Sequence, residues 1–260
     1  MRFFIYFSYN GAAYHGWQYQ PNASSVQEQL ETAFRMLLRR PVTLTAAGRT
    51  DTGVHAKMMV AHFDWSMTDS CAPREWADGL CFRLNGFLPQ DIAIQKIVPV
   101  REEAHARFDA LARTYEYWVT AEKNPYAEHL ITYTRFRLDY ALMNQAAQIL
   151  LEEKDFASFC KAHSDNKTTF CDVRRAFWEE RPMPFVPDQT CHVFTIEADR
   201  FLRNMVRAVV GTLFEVGRGN MTVTEMRQVI ESKSRCAAGQ SMPPDGLYLT
   251  KICYPEHIFL

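Results

Sequence analysis

The sequence of 260 residues lacks the features that mark several large classes of protein. Its seven cysteines are irregularly spaced and include no C-x-x-C pair, so we expect neither a disulfide framework nor a zinc ribbon, and no metal site. The first residues form too short an apolar run for a signal peptide, and no stretch is long enough to span a bilayer. We therefore expect a soluble, cytoplasmic protein with reduced thiols.

A basic excess is also missing, although proteins that bind nucleic acids usually carry one. Lysine and arginine total 29 against 30 aspartate and glutamate residues, which gives a net charge of -1. Net charge does not report how charges are distributed, and arginines cluster at Arg39-Arg40, at Arg174-Arg175 and along Arg200, Arg203 and Arg207. Such clusters are most often solvated faces. Composition therefore does not decide the function.

Hydrophobic periodicity predicts an α+β first half. Ser25 and Glu28 have the spacing of a capping box at the start of a helix that Pro41 ends. A second helix is predicted from Pro73 to Phe87. The predicted strands of this half are Phe3–Tyr9, Val42–Ala47, Met58–Trp65 and Ile92–Val98. The order strand-helix-strand-strand-helix-strand is the split βαβ pattern found in ferredoxin-like and RNA-recognition domains.

The second half is predicted to repeat this pattern. Helices are expected after Asp139, from about Arg200 to Val216, and after a capping box of Thr222 and Glu225. The predicted strands are Thr114–Thr120, Leu130–Leu138, Val173–Glu180, His192–Ala198 and Leu247–Tyr254. We expect an α+β fold of two split-βαβ halves, residues 1–105 and 106–260, that share a mostly antiparallel central sheet with helices outside it and a cleft between the halves.

The loop from Ala47 to Ala56 reads AGRTDTGVHA and carries the strongest chemical signal. In the simplest interpretation, Asp51 only shapes a tight turn between glycines. In the alternative interpretation, the important feature is that Asp51 is a single carboxylate between Arg49 and His55, with no second acid nearby. One loop carboxylate supplies too few oxygen ligands for a magnesium ion, but it can act as a nucleophile or as a base if it is held ionised.

Two residues of the second half are candidate partners for this loop. Arg207 lies in an apolar helical stretch, where a buried guanidinium should face a carboxylate; a side chain that snorkels to solvent explains the pattern equally well. Tyr115 and Tyr117 alternate on a predicted strand, and the pattern alone favours a core strand. A tyrosine that faces a cleft can instead stack on a nucleic-acid base, a contact worth about 1–3 kcal/mol.

These segments resemble the TruA-type tRNA pseudouridine synthases over nearly the whole chain. The catalytic motif of that family is similar to the segment that runs from Gly48 to Ala56, in which Thr52 stands where the family has alanine. Eight further segments occur in the family order. They are Asn10-Gly11 with Tyr14 to Gln20, Ser25 to Glu31, Val60 to Phe63, Leu84-Asn85 with Leu88 to Ile92, His105 to Phe108, Arg113 to Tyr117, Phe201 to Arg207, and Gly246 to Leu249.

The resemblance implies that the protein isomerises uridine to pseudouridine in the anticodon stem-loop of tRNA. Asp51 would be the catalytic nucleophile, or the base that opens a glycal route, and Arg207 would keep it ionised. Tyr115 would stack on the uracil, Leu247 would pack against its ring, and Arg49 would orient the loop or hold the flipped nucleotide. No cofactor is expected, because the reaction involves no redox change. The family also implies a homodimer.

Two other classes of protein stay open at this point. Paired split-βαβ halves with aromatic residues on the sheet also describe an RNA-binding module without catalysis. A nucleophilic aspartate is also used by glycosidases and nucleosidases, but glycosidases normally need a second carboxylate, and none is apparent near Asp51. An enzyme differs from a non-catalytic RNA-binding module in that its Asp51→Asn variant should lose activity and still bind tRNA. A glycosidase or nucleosidase would instead release free uracil.

Overall fold

The computed structural model describes residues 1–67, 72–161, 167–184, 186 and 189–260. These residues form two compact units, the first made of residues 1–112 and 248–260 and the second of residues 113–247. No helix in the described ranges is long and apolar enough to cross a membrane. The helices and strands are β1 Arg2–Tyr9, α1 Val26–Leu38, β2 Thr45–Ala46, β3 His55–Asp64, α2 Pro73–Phe87, β4 Ile92–Val100, β5 Ala112–Thr120, β6 Thr132–Tyr133, α3 Tyr140–Glu152, β7 Val173–Pro182, β8 Thr190–Ala198, α4 Met205–Gly217, α5 Val223–Glu231 and β9 Leu247–Cys253.

The first unit is a sheet in the strand order β4-β1-β3-β9, with the short β2 paired to β3. Its strands are antiparallel except for β9, which runs parallel to β3 and pairs His55 with Tyr248. Helices α1 and α2 cover one face of this sheet, because alternate strand residues present large apolar side chains to them. Phe63 lies 4.9 Å from Phe34 of α1, and Phe3 lies 5.0 Å from Trp76 of α2, measured between ring centroids.

The second unit contains the antiparallel strands β5-β8-β7, with β6 running parallel to the end of β5. Trp178 of β7 packs 5.2 Å from Phe194 of β8 and 6.2 Å from Phe214 of α4, between ring centroids. Asn144 of α3 exchanges two hydrogen bonds with the backbone of Trp178, at 2.7 and 3.0 Å. Helices α3 and α4 are thereby fixed on one face of these strands.

Several predicted elements are shorter than expected, and side-chain hydrogen bonds explain the first case. The predicted strand Val42–Ala47 is reduced to Thr45–Ala46. Glu31 of α1 accepts a hydrogen bond from the backbone N–H of Leu44 at 2.9 Å, and Gln27 donates to the carbonyl of Leu44 at 3.3 Å. These contacts occupy the backbone groups that a longer ladder would need.

The predicted strand Leu130–Leu138 was also wrong in extent, since only Thr132–Tyr133 pairs with a neighbour. Its first residues belong to a turn in which Leu130 donates to the carbonyl of Ala127. Helix α4 begins at Met205, five residues later than predicted, because Asn204 adopts a left-handed conformation with φ of 67°. The capping box predicted at Thr222 and Glu225 is confirmed, whereas at Ser25 only one half of the predicted box is present, the hydrogen bond in which the Ser25 hydroxyl accepts from the Glu28 N–H.

The compact units and the predicted halves, 1–105 and 106–260, differ in two places. The first unit extends to residue 112, and it also takes in residues 248–260, which carry most of β9. The division of the chain into domains therefore stays a prediction. The predicted α+β class, with mostly antiparallel strands and helices packed on them, is confirmed.

Candidate functional site

In the first unit, Asp51 lies in the loop 48–54 between β2 and β3, and a neighbouring segment fixes the path of this loop. The Trp17 N–H donates to the carbonyl of Thr50 at 3.3 Å, and the Gly53 N–H donates to the carbonyl of Tyr14 at 3.2 Å. Gly16 has φ of +90°, and a Cβ there would lie 2.4 Å from the carbonyl oxygen of Thr50. Segment 14–17 can approach this closely only because residue 16 is glycine.

The residues on both sides of Asp51 are also held. Tyr9 of β1 and Thr50 share a buried hydrogen bond of 2.8 Å between their hydroxyl oxygens. The carbonyl of Asp51 accepts from the Val54 N–H at 3.1 Å, which closes a tight turn. The Asp51 side chain is half-buried. The backbone therefore presents this carboxylate from a fixed position.

The two histidines that follow on β3 have structural hydrogen bonds. Nδ1 of His55 accepts from the Gly11 N–H at 3.0 Å, and the His55 ring stacks 4.6 Å from the ring of Tyr248. Nδ1 of His62 accepts from the Ala106 N–H at 3.1 Å. Among the described residues, no group of three or more His, Cys, Asp or Glu side chains has the arrangement of a metal site.

In the second unit, Arg207 of α4 is half-buried and is held by the segment 240–242. Its Nε donates to the carbonyl of Met242 at 2.6 Å, and its own carbonyl accepts from the Met242 N–H at 3.0 Å. A Cβ on Gly211, one turn further along α4, would lie 1.8 Å from the carbonyl oxygen of Gln240. A side chain at residue 211 would therefore push away the segment that fixes Arg207.

Strand β5 carries the two tyrosines that the sequence singled out, and they have different environments. Tyr115 is half-buried, pairs with Ile196 of β8 and lies edge-on to Phe201 at 5.0 Å between centroids. Tyr117 is fully buried. Its hydroxyl shares a 2.7 Å hydrogen bond with Thr132 and donates to the carbonyl of Pro243 at 2.9 Å. Tyr117 is thus a core residue.

The electrostatic environment of Tyr117 agrees with this assignment. Burial raises the pKa of the Tyr117 phenol above its ordinary value, although the hydrogen bond to Thr132 and the charge of Arg207 act in the opposite direction. The phenol therefore stays neutral and serves to hold the segment 242–247. Leu247, at the end of that segment, is 5% exposed, and its N–H donates to the carbonyl of Pro244 at 2.8 Å.

The five site residues predicted from the sequence are thus divided between the units. The first unit carries Arg49, which is exposed, and Asp51, which is half-buried, in one loop. The second unit carries Tyr115, Arg207 and Leu247, and the segment 242–247 contacts the side chain of Arg207 and contains Leu247.

Sequence reasoning missed the residues that position the Asp51 loop. These are Tyr9 and Thr50, described above, and Tyr14, whose hydroxyl donates to a carboxylate oxygen of Asp91 at 2.7 Å. Burial is the main reason that the pKa of Tyr14 is raised, and the hydrogen bond to Asp91 adds to it. The signal available in the sequence was Gly16, because glycine is the residue that tolerates a positive φ and a close approach of another backbone.

Comparison with known proteins gives a consistent result over the whole chain. Residues 5–109 and 146–255 match the family described as tRNA pseudouridine synthase. A protein of Parabacteroides distasonis named tRNA pseudouridine synthase A is 50% identical over 258 residues, which cover 99% of this chain and 98% of the relative. Proteins of the same name from Porphyromonas gingivalis and Bacteroides thetaiotaomicron are 50% and 51% identical, over 100% and 99% of this chain and 99% and 92% of theirs.

Proposed function

Because this chain belongs to the tRNA pseudouridine synthase family, we propose that it isomerises uridine to pseudouridine in the anticodon stem-loop of tRNA, with Asp51 as the nucleophile. The family match over most of the chain is the observation that carries the reaction and the substrate class. The isomerase activity on tRNA follows from the family, and the residue roles and the stem-loop are the finer parts of the proposal.

The reaction exchanges one glycosidic bond for another. The bond between N1 of uracil and C1′ of ribose breaks, and a bond between C5 and C1′ forms. The hydrogen on C5 leaves as a proton, and N1 gains a proton. No electrons are transferred to or from the substrate, so the residues of the chain need only supply a nucleophile or base, proton transfer and orientation.

Asp51 takes the nucleophilic role in this proposal, or acts as the base that opens a glycal route. The loop geometry supports it, since the backbone around Asp51 is held by segment 14–17 and by the Tyr9 hydroxyl. Effective catalysis requires a reacting group that is already in position before the substrate arrives. Arg49, exposed in the same loop, is proposed to orient the loop or to hold the flipped nucleotide.

The remaining site residues act on the charge and on the base. Arg207 is proposed to keep the Asp51 carboxylate in its charged form, because a nearby cation favours an anion. Tyr115 is proposed to stack on the uracil while it turns and Leu247 to pack against the ring. The fixed guanidinium of Arg207 and the half-buried ring of Tyr115 support these roles.

Assembly and location complete the proposal. The enzyme is proposed to act as a homodimer, in which one subunit helps to hold the tRNA on which the other acts. A cytoplasmic location is part of the same proposal. Removing a uridine from its stack costs a few kcal/mol, which contacts to the RNA backbone must offset. Binding should therefore weaken strongly with added salt.

Mapping of pseudouridine in tRNA tests the proposal. In cells that lack this gene, pseudouridine should disappear from the anticodon stem-loop, and the wild-type protein should restore it where Asp51→Ala does not. If wild-type protein forms no pseudouridine in any tRNA, the function is wrong. If pseudouridine appears only outside the anticodon stem-loop, the activity holds and the proposed site on the tRNA is wrong.

A further inference from the structure

The second unit carries an exposed group of aromatic and basic side chains next to the end of β5. We call it the RFR patch and define it as Tyr133, Arg135, Phe136, Arg137 and Arg218. The rings of Tyr133 and Phe136 are 46% and 51% exposed, and the three arginines are exposed as well. Exposed aromatic rings that are grouped with cations are the combination used by surfaces that bind single-stranded nucleic acid.

The backbone of the RFR patch is held in place. Thr134 donates its N–H to the carbonyl of Thr120 at 2.9 Å, and its hydroxyl accepts from the Phe136 N–H at 3.2 Å. The guanidinium carbon of Arg218 lies 4.0 Å from the centroid of the Phe136 ring, a close cation–π contact. The ring therefore has a fixed position while half of its surface stays open.

The charge of the RFR patch is positive. Arg218 forms an ion pair with Glu215 at 3.2 Å, so these two charges offset each other. The nearby Asp139 accepts from the Leu142 N–H as the N-cap of α3. Arg135 and Arg137, on either side of Phe136, are left to set the sign of the surface. An aromatic ring flanked by two cations suits a strand that alternates bases and phosphates.

The position of the RFR patch connects it with the strand that carries Tyr115. Thr132 of β6 pairs with Val119 of β5, and Thr132 also shares a hydrogen bond with the hydroxyl of Tyr117. Tyr115 precedes Val119 by four residues, which corresponds to about 13 Å along a strand, and Phe136 follows Thr132 by four residues, which adds at most about the same distance. An RNA whose uracil stacks on Tyr115 can thus reach the RFR patch within a few nucleotides.

We infer that the RFR patch is a second RNA-binding site, which stacks one unpaired or end-exposed base of the tRNA on Phe136 and holds the adjacent phosphates with Arg135 and Arg137. The site adds affinity without taking part in the chemistry. This inference rests on the proposed function, because it takes tRNA as the ligand and Tyr115 as the position of the reacting base.

Binding and turnover of unmodified tRNA by the full-length protein test this inference. Phe136→Ala should raise Kd for tRNA about 10-fold, and Phe136→Tyr should restore it, because a tyrosine ring also stacks. The double variant with Arg135→Ala and Arg137→Ala should lower the slope of log Kd against log salt by about 1.5. The value of kcat at saturating tRNA should stay within about 2-fold, since the site touches no reacting atom.

The chain offers a matched control in the same unit. Arg175 lies 5.3 Å above the ring of Phe177 in β7, which is on the far side of β8 from β5. Arg175→Ala and Phe177→Ala remove the same kinds of group and should leave Kd within about 2-fold of wild type and the salt slope within about 0.5 of wild type. Thermal unfolding checks that each variant is folded. If Phe136→Ala does not fold, the double variant with Arg135→Ala and Arg137→Ala still tests the inference.

The outcomes separate this inference from the proposed function. Wild-type affinity and salt slope in the patch variants would overturn the inference, and so would an equal loss in the β7 control. A change from dimer to monomer with unchanged tRNA affinity would make the patch a contact between copies and would also overturn it. If wild-type protein binds tRNA without forming pseudouridine, and the patch variants weaken that binding, the function fails and the RNA site stands.

Discussion

The Asp51 loop of the first unit and the Arg207 turn of α4 in the second unit are built with the same two devices. In each region, a glycine allows two backbone segments to approach closely: Gly16 approaches the carbonyl of Thr50, and Gly211 approaches the carbonyl of Gln240. In each, the hydroxyl of a buried tyrosine also shares a hydrogen bond with a threonine, Tyr9 with Thr50 and Tyr117 with Thr132, and the Tyr117 hydroxyl reaches the Arg207 region through the carbonyl of Pro243.

The two regions differ in which atoms these contacts hold. Around Asp51 they fix the backbone on both sides of the carboxylate, through the carbonyls of Thr50 and Asp51. Around Arg207 they hold the segment 240–243, and this segment in turn binds the side chain, because the Arg207 Nε donates to the carbonyl of Met242. Both arrangements suit the proposed roles, a carboxylate held ready to react at Asp51 and a guanidinium at Arg207 that stays charged and in place.

Loss of the guanidinium should have the largest effect of the changes that compare the two regions. Arg207→Met should lower the single-turnover rate constant about 100-fold, because the fixed charge that is proposed to support the Asp51 carboxylate is removed. Arg203→Met is the control, because Arg203 is exposed and lies ahead of the start of α4; its single-turnover rate constant should change less than about 3-fold. Single-turnover kinetics on tRNA measure both. Equal losses in the two variants would contradict a specific role for Arg207.

The glycine contacts can be broken one unit at a time. Gly16→Ala and Gly211→Ala should each lower the free energy of unfolding by about 1–3 kcal/mol, because the new methyl group overlaps a backbone carbonyl. Gly16→Ala should cost more, since φ of +90° also strains an alanine.

Gly48→Ala is the matched control for this pair of variants. A Cβ at residue 48 would meet no atom within 4 Å, so its free energy of unfolding should stay within about 0.5 kcal/mol of wild type. Denaturant unfolding gives all three values. A stable Gly211→Ala variant would show that the 240–242 segment yields easily, and the parallel between the two regions would then be lost.

The smallest expected effect comes from pH and acts on the end of β3 remote from the Asp51 loop. Burial, with smaller contributions from the charges of Arg2 and His105, lowers the pKa of His62 to about 4. An unfolded histidine has a pKa of about 6.5, so between these values the unfolded chain binds more protons than the folded chain. The stability due to neutral His62 is therefore complete above about pH 6.5 and is lost as pH falls towards 4.

Unfolding in denaturant at pH 7 and pH 5 checks this effect. The free energy of unfolding should fall by up to about 2 kcal/mol from His62 alone. His62→Asn keeps an acceptor for the Ala106 N–H but removes the titrating group, so its stability should depend less on pH. An unchanged pH dependence in His62→Asn would assign the effect to other groups.

Much of the fold could be read from local patterns, and the exceptions have a common physical cause. The helix starts at Ser25 and Thr222 followed from capping residues close in sequence. The extent of β2 could not be predicted in this way, because the backbone of Leu44 forms hydrogen bonds with the side chains of Glu31 and Gln27 on α1. Contacts between distant residues decide such cases, and a pattern within one segment does not contain them.

The candidate site shows the same division. The motif around Asp51 and the arginine in an apolar helix were visible in the sequence. The hydrogen bonds that hold these residues in place were not visible, because Tyr9 and Thr50 are 41 residues apart and Arg207 and Met242 are 35 residues apart. The two alternating tyrosines looked equivalent, but only the structure showed that the hydroxyl of Tyr117 is used in the core.

The central claim is that the carboxylate of Asp51 starts the exchange of the bond at N1 for the bond at C5. That exchange must release the hydrogen of C5, so tRNA labelled with tritium at C5 of uridine reports it directly. Wild-type protein should release tritium in step with pseudouridine formation. Asp51→Asn should release it at least about 1000-fold more slowly while Kd for tRNA stays within about 3-fold. Release at the wild-type rate by Asp51→Asn would contradict the claim.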